Sequence, residues 1–357
     1  MTDLLENMAY QFLFESDEED EISYKLNHRR PRIIRQRMNW LAIYDQTDFI
    51  RRFRLSKDHI ELILQKIEEK LVPNTERNHA IPPIIQLQVF IKFAATGSFL
   101  LSVADFFGIS KTSAERIVSN VSLAISELHK EFIKFPSENQ DILQNKVSNF
   151  NLSGFIHVIG AIDCIHVRIQ SYGGDDGELF RNRKGFFSIN VQAVVNSSLQ
   201  ILDWVAHWPG ATHDATIFDN SRFKSRFESG EFGNGVLLGD SGYPSLPFLL
   251  TPLQNPQTPS EILYNEAQIR TRSMVERCFG LLGRMFPVLT LGSRFRSPQK
   301  TLQVITACAV LYNLSRETIA VTHDDIDKYN NFDRDLHENL VQNERQYIIE
   351  NYFQNLI

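Results

Sequence analysis

Three acidic residues sit where a sheet protein could bring them together. Asp163 follows the apolar run Phe155–Ile162, Asp240 follows the apolar run Val236–Gly239, and Glu276 lies inside a helical pattern over Thr271–Met285. Alone, each has an ordinary reading: Asp after a strand caps a turn or helix, and Glu on a helix faces solvent. Together they are costly to keep ionised without a cation, so a bound metal accounts for them better than packing does. Carboxylates are hard oxygen ligands suited to Mg²⁺ or Mn²⁺. Two such ions about 4 Å apart activate water or a 3′-hydroxyl and neutralise the leaving oxygen of a phosphodiester.

The elements that must position these acids follow from the apolar patterns. The character of the chain changes near residue 154. Phe155–Ile162 reads as a buried central strand ending at Asp163; Ser188–Val195 and Gln200–His207 read as two more, joined at Asn196-Ser197-Ser198. Asp214–Phe227 is then a helix and Val236–Gly239 a short strand ending at Asp240. A loop with Pro244, Pro247, Pro252, Pro256 and Pro259 follows, before helices over Thr271–Met285 and Pro298–Arg316. Three strands, a helix, a fourth strand and further helices form the order of a ribonuclease-H-like α/β domain, expected over 154–316. The preceding part, 56–150, reads as helical. Ser56 caps Lys57–Leu71, Pro82-Pro83 starts a helix that Gly97 stops, and Val103–Phe107, a Gly108-Ile109-Ser110 turn and a helix over Thr112–Leu128 form a helix-turn-helix pattern. Its second helix would offer Lys111, Thr112 and Arg116 to DNA; an ordinary helical hairpin is the competing reading.

Charge divides the ends of the chain. Residues 1–24 end in an acidic run expected to form a disordered tail. From Lys25 to Arg54 there are nine Lys/Arg against two Asp, a basic arm over 25–55 that suits a solvated helix face, a nuclear-import signal or a phosphate-contacting arm. The 317–357 tail is acidic, with a helix expected over Leu336–Phe353. The net charge of −6 does not advertise nucleic-acid binding over the whole surface. Cys164, Cys278 and Cys308 form no CxxC pair and suit a reducing compartment. Met1–Glu21 lacks the basic start and apolar core of a secretion signal, and no apolar stretch is long enough to span a membrane.

Five blocks in order carry a resemblance. Gly160-Ala161-Ile162-Asp163-Cys164-Ile165-His166-Val167 resembles the first catalytic block of PIF/Harbinger-type DDE transposases. Asn182-Arg183-Lys184-Gly185 with Ser188-Ile189-Asn190-Val191-Gln192 is similar to their next block, and Trp208-Pro209-Gly210-Ala211-Thr212-His213-Asp214 to a third. Leu237-Leu238-Gly239-Asp240-Ser241-Gly242-Tyr243-Pro244 looks like the second catalytic block. Tyr264-Asn265-Glu266-Ala267, Arg270-Thr271-Arg272 and Val275-Glu276-Arg277-Cys278-Phe279-Gly280 look like the block with the catalytic glutamate.

The resemblance implies a metal-dependent DDE nuclease or transposase with Asp163, Asp240 and Glu276 as catalytic and metal-binding triad and Asp214 as a further metal-site acid. Arg183 and Lys184 would contact the DNA backbone. Arg272, one helical turn before Glu276, would pair with it or bind a phosphate. His166 and His213 would orient a carboxylate or touch phosphate, against the plainer reading of structural histidines. Trp208 and Phe279 read as core. Tyr312-Asn313 departs from the family's His-Asn pairing, which leaves any histidine role there empty. The family's division of labour implies a Myb-like DNA-binding partner, location in nucleus and cytoplasm, and a homodimer for joining paired DNA ends. The alternative is a domesticated, catalytically idle DNA- or protein-binding factor.

Overall fold

Side-chain caps start the helices. Ser56, Ser110, Ser221, Thr258 and Ser297 each accept the backbone N–H three residues on, satisfying a donor that a helix start leaves orphaned. The computed structural model describes residues 35–73, 79–174, 177–295, 297–318, 320–334 and 344–357. The expected acidic tail over 1–24 and residues 25–34 of the basic arm lie outside the described residues.

Among the described residues eight helices precede the sheet: α1 (Trp40–Ile43), α2 (Gln46–Phe53), α3 (Lys57–Leu71), α4 (Pro83–Thr96), α5 (Leu100–Phe107), α6 (Lys111–Ser126), α7 (His129–Phe132) and α8 (Asn139–Ser153). The sheet strands are β1 (Val158–Arg168), β2 (Ser188–Val195), β3 (Ile201–Pro209), β4 (Val236–Leu238) and β5 (Leu249–Leu250). Between β3 and β4 lie α9 (Asp214–Asp219) and α10 (Arg222–Glu228). After β5 come α11 (Pro259–Met285), α12 (Val288–Leu291), α13 (Pro298–Leu314), α14 (His323–Arg334) and α15 (Glu344–Ile348). None of the described helices is long and apolar enough to cross a membrane.

The strand order is β3-β2-β1-β4-β5, with β1–β2 and β2–β3 antiparallel and β1–β4 and β4–β5 parallel. Alternation along each strand sends side chains to opposite faces. Ala161, Val191 and Ala193 join the larger core with Met274 and Val275 of α11 and Val304 of α13. Ile162, Val194 and Leu202 face the other way, onto Phe218 of α9 and Phe223 and Phe227 of α10. This mixed sheet with helices on both faces fits the ribonuclease-H-like α/β class expected from element order.

Residues from Arg37 to Ile357 form one compact unit. The early helices share it with the sheet, because α6 packs between α4 and the late helix α13. Seven residues of α6, from Ala114 to Ile125, are buried. Gly108 ends α5 in the left-handed region at φ +64°, where a residue with a Cβ is strained, and Ser110 caps α6. Helices over Leu100–Phe107 and Lys111–Ser126 thus flank the Gly108-Ile109-Ser110 turn.

Three expectations need correction. The first strand does not end at Asp163; it runs on to Arg168, because residues 161–168 all pair with β2. The helix expected over Asp214–Phe227 is two helices, broken at Asn220-Ser221, where Ser221 caps the second. Pro259 is not loop. It is the first-turn proline of a helix that reaches Met285, with a capping box between Thr258 and Glu261. The proline-rich stretch before it also holds a fifth strand, two residues long and too short to show a pattern. The helix expected over Leu336–Phe353 is not among these: residues 335–343 lie outside the described residues, Glu344–Ile348 is helical and Ile349–Phe353 continues as a π-helix.

Candidate metal centre

The parallel pairing of β1 with β4 brings the first two acids together. Ala161 lies opposite Leu238. Two residues further on each strand stand Asp163, inside β1, and Asp240, just past the end of β4. Neighbouring strands lie about 4.8 Å apart, and the negative charge of Asp240 acts on Asp163. Burial is the main cause that pushes the Asp163 carboxyl up to about 6; Asp240 and Asp214 add to the rise, while the Cys164 backbone N–H and Arg272 oppose it. The Cys164 N–H donates to Asp163 Oδ1 at 2.7 Å. Asp240 is fixed by its own turn, with Oδ1 accepting the Gly242 N–H at 2.9 Å. From α11, the buried Gln268 donates to the Gly239 carbonyl at 2.7 Å and so pins the residue before Asp240.

Glu276 enters from α11 through Arg272. Arg272 Nη1 donates to Asp163 Oδ2 at 3.3 Å and Nη2 to Glu276 Oε1 at 2.6 Å. The guanidinium thus bridges a strand carboxylate and a helix carboxylate. Side-chain exposure is 16% for Arg272, 18% for Asp163 and 55% for Glu276.

Asp214 approaches from the other side of β1. Asn190, wholly buried and paired across the sheet with His166, donates through Nδ2 to Asp214 Oδ1 at 2.9 Å and to the Thr212 carbonyl at 2.9 Å. Asp214 is the first residue of α9 and His213 is the cap position; the cap role considered for Asp214 falls to its neighbour. The charge of Asp214 acts on Asp163, Cys164 and His166. Burial pushes the Cys164 thiol up, and the Tyr243 hydroxyl lies 3.3 Å from its sulfur.

A hydrogen-bonded turn carries two exposed cations beside this region. Asn182 accepts the N–H groups of Lys184 and Phe186 and donates to Ser188 Oγ, which lies 3.0 Å from His166 Nδ1. Burial holds the His166 imidazole below its ordinary range, with Lys184 and Arg183 pushing the same way and Asp214 opposing. Lys111, Thr112 and Arg116 are exposed at the start of α6, on the helix that carries the Glu115–Lys300 ion pair.

A profile described as "DDE superfamily endonuclease" matches residues 162–313. The human protein named "Putative nuclease HARBI1" is 35% identical over 263 residues, 73% of this chain and 75% of that protein. The chain belongs to the Harbinger-transposase-derived DDE family. The Xenopus laevis protein of the same name is 31% identical over 285 residues, 78% of this chain and 80% of that one. An Arabidopsis thaliana "Protein ALP1-like" is 26% identical over 67% of this chain and 62% of that protein. No solved structure matches the chain.

Family membership brings the metal question to these residues. Among the described residues, no three His, Cys, Asp or Glu side chains are placed to share one ion. The donor set nevertheless fits a hard divalent cation: carboxylate oxygens, with the charges of Asp240 and Asp214 acting on Asp163, and a cationic side chain already drawn in between Asp163 and Glu276. A cavity of about 260 Å³ on the same sheet face is lined by Ile165, Val167, Trp204 and Leu282 among others, and holds none of the four acids.

Two residues that fix the acids were not singled out from sequence: Asn190 and Gln268. Both are fully buried amides; Asn190 interrupts an apolar strand, which is a legible signal, whereas Gln268 stands among polar helix residues and carries none. Trp208 and Phe279, read as core, are half-buried. Tyr312 and Asn313 prove structural: the Tyr312 hydroxyl donates to the Leu199 carbonyl, and Asn313 bonds both backbone groups of Ile201.

Proposed function

We propose that this chain is a metal-dependent DNA nuclease of DDE type, with Asp163, Asp240 and Glu276 as catalytic metal ligands and Asp214 as a further acid of the site. The observation that carries the proposal is the parallel register that sets Asp163 and Asp240 two residues beyond the Ala161–Leu238 pair, with Asp163 linked to Glu276 through Arg272. Bound Mg²⁺ or Mn²⁺ would activate a water or 3′-hydroxyl and neutralise the leaving oxygen. The protein's own groups do the positioning. Gln268 and the Gly242 N–H hold the Asp240 turn, Asn190 holds Asp214, and the Asn182 turn offers Arg183 and Lys184 to a phosphate backbone.

Further parts of the proposal rest on charge and family. The exposed Lys111, Thr112 and Arg116 form a DNA or partner contact. With a net charge of −6, tight autonomous DNA binding is disfavoured, which supports a Myb-like DNA-binding partner and residence in both nucleus and cytoplasm. A homodimer would join paired ends. A second reading, an idle binding factor descended from a nuclease, is favoured by the Arg272 bridge.

Supercoiled plasmid incubated with Mg²⁺ or Mn²⁺ separates the two. Nicking by the wild type, lost in Asp163→Ala and Glu276→Ala, is the expected result. A folded wild type that nicks nothing with either metal would leave the binding factor as the surviving reading.

A further inference from the structure

Arg272 has the position of a cation that belongs to the centre. Its guanidinium spans Asp163 on β1 and Glu276 on α11, and is itself largely buried at 16% exposure. Arginine is always charged and presents several donors in a rigid fork, so it can neutralise two carboxylates at once. A divalent ion held by the same oxygens needs contacts of about 2.0–2.6 Å, and those oxygens already carry arginine N–H groups. Glu276 is half-exposed and shares a helix face with Arg272, four residues apart. Arg272 can therefore leave Asp163 without unwinding the helix.

We infer that Arg272 is a displaceable counter-cation: it holds Asp163 and Glu276 in the metal-free protein and must release both for a metal to bind. This rests on the metal-centre reading above. Metal affinity is then set in part by competition with Arg272, and metal-free stability depends on it.

The test is Mn²⁺ titration of the full chain by calorimetry, with thermal melts in EDTA and in Mn²⁺. Arg272→Gln should bind Mn²⁺ roughly three- to tenfold tighter than wild type, the size expected when a partly exposed ion pair no longer competes. It should melt lower in EDTA and recover in Mn²⁺. Arg272→Lys keeps a charge without the fork and should fall between. Arg277→Gln removes an equal charge from an exposed neighbour on the same helix and should change affinity less than Arg272→Gln. Unchanged or weaker Mn²⁺ binding in Arg272→Gln overturns the inference, as does an equal gain in Arg277→Gln, which would mean charge at a distance. Asp163→Asn separates the two levels of failure. If it abolishes wild-type Mn²⁺ binding, the centre stands whatever Arg272 does. If neither wild type nor Arg272→Gln shows Mn²⁺ binding that depends on Asp163, the centre itself falls, and the displacement with it.

Discussion

Asp163, inside β1, and Asp240, just past the end of the parallel β4, each stand two residues beyond the Ala161–Leu238 pair, and the charge of Asp240 is felt at Asp163. The placement is costly to the fold. Burial, with Asp240 and Asp214, lifts the Asp163 pKa from 3.8 to about 6. A carboxyl whose folded pKa exceeds its unfolded one binds more protons when folded, so stability falls as pH rises from about 4 to about 6 and stays lower above. In EDTA, Asp163→Asn should stabilise the protein at pH 8 by about 1–3 kcal/mol, and the gain should vanish near pH 4. Denaturant melts at the two pH values check this. Equal destabilisation at both would contradict it.

Asn190 offers a cleaner probe of the fourth acid. It is wholly buried, and its amide donates to both Asp214 and the Thr212 carbonyl. Asn190→Ala leaves both acceptors without that donor and should cost about 1–3 kcal/mol. Asn190→Asp sets a carboxylate against Asp214 and should cost more at pH 8 than at pH 5. Melts across pH read both, and a pH-independent loss in Asn190→Asp would argue against the contact.

Much of this arrangement was legible in sequence because it rests on local signals. Ser56 and Ser110 cap helices where a hydroxyl precedes an apolar rhythm, and Gly97 and Gly108 end helices at positive φ. The acids themselves were found through their flanking blocks. What escaped depends on distant partners. The extension of β1 past Asp163 requires β2, since Cys164, His166 and Arg168 interrupt the apolar run that marks its buried half. The first turns of α11 lie among prolines that, read singly, look like loop. The roles of Asn190 and Gln268 exist only once strand and helix are folded together.

Gly210 gives a motif residue a packing reason. A Cβ there would meet the Phe180 carbonyl at 2.5 Å and the Ser188 carbonyl at 2.7 Å, as well as Ser188 Oγ at 2.3 Å. Two of those neighbours are backbone and cannot rotate away. Gly210→Ala should therefore destabilise by about 2–4 kcal/mol and, four residues before Asp214, weaken any metal binding to that acid. Gly280→Ala, where a Cβ meets nothing within 4 Å, should be neutral or stabilising, since alanine favours a helix over glycine. A wild-type-like melt for Gly210→Ala would mean that the Asn182 turn and the segment before α9 are looser than the packing implies.

Arg183 and Lys184 test the substrate directly. Both are exposed, and the turn that holds them is built by Asn182 rather than by their own side chains. Arg183→Ala with Lys184→Ala should leave stability within about 0.5 kcal/mol, while weakening binding to a DNA duplex without regard to its sequence. Each phosphate contact removed lowers the slope of log affinity against log salt by about 0.9 for duplex DNA, so the double variant should lose up to about two units of slope. An unchanged slope would move the DNA path away from this turn. If Lys111→Ala with Arg116→Ala then reduced the slope instead, duplex contact would belong to the start of α6, and the Asn182 turn would be left with its effect on His166 alone.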